Sequence, residues 1–168
     1  MRHPDPAATT SPVAFRKHDH ARCTRTALSA VEAACRARGL RLTPARARVM
    51  EILLEQHRAM GAYEILDRLR AEGMAAQPPV AYRALDFLVG NGFAHRIERL
   101  NAFIACVHPE ADHDAAFMIC RNCETVAEAP REAASGMLGD AARAAGFAIE
   151  RTVVEAEGLC PACRETRP

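Results

Sequence analysis

Two Cys-x-x-Cys turns stand in the second half of the chain, Cys120-Arg121-Asn122-Cys123 and Cys160-Pro161-Ala162-Cys163. Each turn presents two thiolates to one ion, and the pair completes a tetrahedral sulfur set of the kind that holds zinc at about 2.3 Å per sulfur. A redox dithiol would explain one turn and leave the other idle. A closed four-thiolate site has no position for substrate, so its expected work is structural: tying the start of the back half of the chain to its end. His95, Cys106, His113 and Glu128 are then candidate ligands of a second, mixed site, with His108 and Asp112 as further candidates in the same loop. One thiolate, one carboxylate and two neutral imidazoles balance a dication, so such a site can be partly buried without stranded charge. The alternative for each histidine is an ordinary surface or core residue. With both sites filled, the chain carries two zinc ions, one structural and one regulatory.

Composition narrows what surrounds these ligands. The chain has 168 residues and seven cysteines, no run apolar enough to span a membrane, and no apolar segment of secretory type near its N-terminus. A cytoplasmic location is therefore expected, where cysteines serve metals more often than disulfides. The net charge of +1 hides an asymmetry: residues 1–99 carry 16 Lys and Arg against 10 Asp and Glu, and residues 100–168 carry 6 against 11. A basic front half fits a polyanion-binding domain joined to a domain with another task.

The elements that must position the ligands follow from spacing. Residues 1–24 have no apolar period and read as a disordered tail; His18, His20 and Cys23 within it are read as solvated, because an unorganised site binds metal weakly. Residues 25–38 read as a helix with Leu28, Val31, Ala34 and Cys35 on one face, which makes Cys35 a packed apolar group. Thr43-Pro44 is a helix start, with Thr as N-cap, and Val49, Ile52, Leu53 and Gln56 follow at helical spacing. Residues 61–72 form the next helix, with Ile65, Leu66 and Leu69 inward. Residues 79–90 form another, with Ala81, Leu85, Leu88 and Val89 as its apolar stripe and Tyr82, Arg83 and Asp86 off it. Two short helices with a turn between them match a helix-turn-helix, and the alternating runs FAHRIER and AFIAC, broken at Leu100-Asn101, read as a two-stranded wing.

The expected class is α/β (α+β): a winged-helix DNA-binding domain over 25–100, then a small α/β dimerisation domain over 101–168. In the latter, residues 115–119 and 147–155 read as strands and 131–145 as a helix with Met137, Leu138 and Ala141 inward. That unit is short for an independent monomer, so metal and dimerisation would both support it.

Several runs together carry a resemblance: Arg41-Leu42-Thr43-Pro44-Ala45-Arg46, Tyr82-Arg83-Ala84-Leu85-Asp86-Phe87-Leu88, Gly92-Phe93-Ala94-His95, and the two Cys-x-x-Cys turns. Over about residues 27–165 the chain resembles the ferric uptake regulator family, and within it the zinc uptake regulators. The resemblance implies a homodimeric, zinc-dependent transcriptional repressor that binds a double-stranded DNA operator and controls zinc-acquisition genes, with no membrane association, small-molecule substrate or catalytic site. It implies structural zinc on Cys120, Cys123, Cys160 and Cys163, regulatory zinc on His95, Cys106, His113 and Glu128, and DNA contacts from Tyr63, Tyr82 and Arg83. Arg41 and Arg46 are expected on phosphates.

The chain departs from the family in two places. Val80 stands where the family carries a capping Thr, leaving the first amides of that helix to water, phosphate or Gln77. The loop between Cys106 and Cys120 is one residue short, which keeps His108 beside His113 as a ligand. An iron or peroxide sensor of the same family is the alternative, and a thiolate at Cys106 argues against it. A zinc-ribbon enzyme would need an open metal position and would leave the basic front half unexplained.

Overall fold

The computed structural model describes residues 12–16, 19–74, 76–109, 115–130 and 135–166. Four helices build the front half: α1 (His20–Ala37), α2 (Pro44–Leu54), α3 (Ala62–Ala71) and α4 (Pro78–Gly90). Each begins where local chemistry allows. The Asp19 carboxylate accepts from the Arg22 amide at the start of α1, and the Thr43 hydroxyl accepts from the Arg46 amide at the start of α2, with Pro44 following. The helix expected at 25–38 therefore begins at His20, because Asp19 caps it; residues 20–24 are helical rather than a loose tail. Val13–Phe15 form a short 3-10 turn set against the back sheet. The rest of the expected tail lies outside the described residues. At α4 the N-cap is Gln77, without a side-chain bond; Pro78 and Pro79 fill the first turn, so two of its unsatisfied amides do not exist.

The apolar stripes meet as expected: Val31, Cys35, Val49, Ile52, Leu53, Ile65, Leu66, Leu69, Leu85 and Leu88 are all buried in one cluster. Truncating any of the large members to Ala would cost roughly 2–5 kcal/mol. Gln56 is exposed, since α2 has already ended at Leu54.

The wing is an antiparallel hairpin, β1 (Ala94–Ile97) and β2 (Ala102–Ala105), pairing Ala94 with Ala105. It carries the winged helix past residue 100 to Ala105. Met60 exchanges two backbone hydrogen bonds of 2.8 Å with Phe103 on the other side of β2. Gly92, at φ +76°, makes the turn from α4 into the wing, a conformation that L side chains rarely adopt.

The back half is a three-stranded sheet in the order β4-β3-β5, from β3 (Ala115–Cys120), β4 (Val126–Pro130) and β5 (Val154–Gly158), with α5 (Ser135–Ala144) and α6 (Pro161–Glu165). β3 runs antiparallel to β4 and parallel to β5. The strand expected at 147–155 starts only at Val154. Its upstream part, with Phe147 68% exposed and Ile149 and Val153 also exposed, has no partner strand among the described residues. In α5, Leu138 and Ala141 face outward and Ala142 is the buried residue, opposite to expectation. Met137's side chain lies outside the described residues. A second apolar cluster joins the halves, packing Ile97, Ala102 and Ile104 of the wing against Phe117, Ile119 and Val126 of the back sheet.

Candidate metal centres and nucleic-acid interface

The parallel pairing of β3 with β5 puts Cys120 opposite Gly158, two residues before Cys160. Cys160 is the N-cap of α6, and Cys163 follows on that helix. The two Cys-x-x-Cys turns therefore converge, and the four sulfurs lie within 4.8 Å of one another. Cys123 and Cys160 stand 3.7 Å apart, too far for a disulfide and close to the spacing of thiolates on a shared tetrahedral ion. Donors are aimed at the sulfurs: the Cys160 amide at Cys120 (3.3 Å) and the Asn122 side-chain amide at Cys163 (3.2 Å). Burial alone would push the Cys120 thiol up, but the amides of Cys123, Cys160 and Asn122 outweigh it and bring the pKa down to about 6. At Cys160 the Cys163 amide lowers the pKa, but burial and the neighbouring sulfurs prevail and drive it up to about 12. Four crowded thiols thus cannot all ionise on their own; a dication lets them do so. The residues fit zinc.

The mixed set draws on three elements. His95 is on β1, Cys106 lies just past β2, and Glu128 is on β4 opposite Phe117. Their ligand atoms fall within 4.8 Å of one another. The His95 Nε2 is 3.6 Å from the Glu128 carboxylate, whose side chain is 7% exposed. The other Glu128 oxygen accepts from the Val107 amide (3.2 Å), and the Cys106 sulfur accepts from the His108 amide (3.3 Å). The His95 ring packs 5.2 Å from that of Phe117. A soft sulfur, an imidazole and a carboxylate form a donor set suited to zinc. His113 and Asp112 lie outside the described residues. His108 is exposed and touches the cluster through its backbone.

On the front face, Tyr82, Arg83 and Asp86 line the outward side of α4, and Tyr63 stands 67% exposed in the first turn of α3. The Arg46 guanidinium lies 3.8 Å from the Phe87 ring centre and donates to the Arg41 carbonyl. Arg48 is bound into Glu51, Glu55 and Glu72.

The ferric uptake regulator family matches residues 37–156. This chain belongs to that family. Among its relatives is the zinc uptake regulation protein of Escherichia coli strain K12, 39% identical over 143 residues, which are 84% of each chain. A zinc uptake regulator complexed with zinc and DNA is 39% identical with a TM-score of 0.79, covering 84% of this chain and 95% of that one. The holo form of XcZur is 42% identical with a TM-score of 0.76, covering 84% of this chain and 99% of that one. Its apo form, equally identical at 42% and covering 85% and 99%, scores 0.51. The sequence relation is the same in the two, and the fold of this chain superposes more closely on the holo form than on the apo form.

Sequence reading missed a contact that supports this arrangement. The Glu155 carboxylate of β5 accepts from the amides of Glu98 (2.6 Å) and Arg99 (2.9 Å) in the wing turn, while Arg99 pairs with Glu157 and Arg151 with Glu98. The charged residues Glu150, Arg151, Glu155 and Glu157 in an otherwise strand-like run were its sequence signal.

Proposed function

We propose that this chain is a zinc-responsive transcriptional repressor that binds an operator as a homodimer and shuts off zinc-acquisition genes when zinc is plentiful. The observation that carries the reading is the origin of the mixed ligands. His95 and Cys106 come from the wing and its exit, and Glu128 from the back sheet, so an ion held by all of them fixes one domain arrangement. Shifting a two-state equilibrium from 1:99 to 99:1 takes about 5.5 kcal/mol of differential affinity, within the on the order of 10 kcal/mol that zinc sites supply. His113 completes the set as the fourth ligand, and the four cysteines hold the structural zinc.

In the dimer, two α4 helices enter successive major grooves about 34 Å apart. Arg83 reads a purine edge, discriminating by about 1–3 kcal/mol, with Tyr82 and Tyr63 beside it. The exposed Leu138, Phe147 and Val153 of the back half supply the apolar face that a second copy covers. An iron sensor of the same family is disfavoured because Cys106, fully buried, puts a thiolate in the sensing set.

The test is a gel shift with operator-type DNA across buffered free zinc. Wild type should bind only above a zinc threshold. Cys106→Ser should hold one zinc fewer and lose the threshold response. Arg83→Ala should keep the threshold and bind about 10–100-fold more weakly. Equal binding by wild type when only the four-thiolate zinc remains would sink the sensor reading.

A further inference from the structure

A third group of metal-ligand side chains stands apart from both centres: His20, Cys23 and His57, with one ligand atom from each all within 4.8 Å and every residue half-buried. His20 and Cys23 share a face of the first turn of α1, which exists because Asp19 caps it. That turn is anchored on the end of α2. The Thr24 hydroxyl lies 3.2 Å from the Leu54 carbonyl, and the His20 Nε2 lies 2.7 Å from the Glu55 carbonyl. His57 follows in the α2–α3 loop, its ring edge-on to that of His20 at 4.9 Å. Against a carbonyl the His20 Nε2 carries the proton, leaving Nδ1 as the ring's lone pair. A carbonyl on one ring nitrogen is also what orients imidazoles bound to a metal through the other. The backbone of His57 is held too, its carbonyl accepting from the Val126 amide at 2.9 Å.

We propose that His20, Cys23 and His57 form a third metal site, which takes zinc through two imidazole nitrogens and one thiolate. Donors on one tetrahedral zinc, at about 2.0–2.3 Å each, stand roughly 3.3–3.8 Å apart, a closure that side-chain torsions provide from the observed spacing. Three protein ligands leave a fourth position facing a groove of about 550 Å³, which Cys106 and Val107 of the sensing region also line. An open three-ligand site holds zinc less firmly than four thiolates do, so it fills last. Its ligands join α1 to the α2–α3 loop, which is bonded to the first residue of β4. Zinc there adds a brace to the same arrangement that the mixed centre holds.

The experiment uses the full chain carrying Cys106→Ser, with its four-thiolate zinc in place, titrated with Co²⁺. The substitution removes the sensing thiolate, so any thiolate-to-cobalt charge-transfer absorption reports another sulfur. We expect that absorption to saturate at about one equivalent per chain, with tetrahedral d–d bands, while the structural zinc content stays constant. Adding Cys23→Ser should abolish it, and adding His57→Ala should weaken cobalt binding at least tenfold; structural zinc content and helical circular dichroism verify the fold of each. No thiolate absorption in Cys106→Ser, or absorption that survives Cys23→Ser, overturns the proposal. The readout does not pass through DNA, so the site stands or falls apart from the repressor reading.

Discussion

The four-thiolate centre and the mixed centre differ less in their ligands than in what those ligands connect. All four cysteines belong to the back half, and closing them joins the end of β3 to α6 beside a strand already paired with β3. The mixed ligands cross between halves, from the wing to β4. A metal within one domain adds to that domain's stability, whereas a metal across two adds to one of their relative positions. On the proposed reading the same ion is a staple in one place and a signal in the other, and topology makes the difference.

The largest effect that would break this contrast is expected at the staple. Cys160→Ser removes a ligand worth a large share of the on the order of 10 kcal/mol that structural zinc contributes. The back half should lose its cooperative unfolding transition and the chain its dimer, as read by calorimetry and light scattering. If the variant instead stays folded and dimeric but ceases to respond to zinc, the two roles are assigned the wrong way round.

Chelation separates the centres without mutation. Dialysis against EDTA should empty the mixed centre, retain about one zinc per chain on the sulfurs, and abolish DNA binding with little change in circular dichroism. Parallel loss of both zincs would mean the two sites are not graded in affinity.

A smaller effect probes the crossing itself. Glu155→Gln weakens the acceptor that receives the Glu98 and Arg99 amides. About 1 kcal/mol of support for the domain arrangement should go, raising the zinc concentration for half-maximal DNA binding by roughly fivefold while leaving zinc content unchanged. An unmoved midpoint would show that the mixed centre alone sets the angle.

Much of this was legible in the chain because it rests on local signals. Thr43-Pro44 marks a helix start by side-chain chemistry alone, and the stripes on α2, α3 and α4 become the core seen in the fold. The Cys-x-x-Cys turns declare their chemistry by spacing, and the geometry brings them together. What escaped depends on partners. Strand β4, VAEAP, has too little alternation to stand out and is a strand because β3 lies beside it. The run from Phe147 to Val153 has a strand's composition but no neighbouring strand among the described residues. Leu138 looked inward for the same reason: an apolar period does not say which body will cover it. His57 sits alone in sequence, and only the docking of α1 on the end of α2 gives it companions. The Asp19 cap was readable and would have moved the start of α1 to the right place.

The parallel pairing of β3 with β5 also sets a timetable for synthesis. Cys123 and Cys160 are separated by 37 residues of chain. At 5–20 residues per second, roughly 2–7 s pass between the making of the first pair of sulfurs and the second. The winged helix, whose core is complete by the end of the wing, can form within that interval. A newborn molecule is therefore able to hold its DNA-reading surface before it can assemble the four-cysteine site, which is complete only when the last turn arrives.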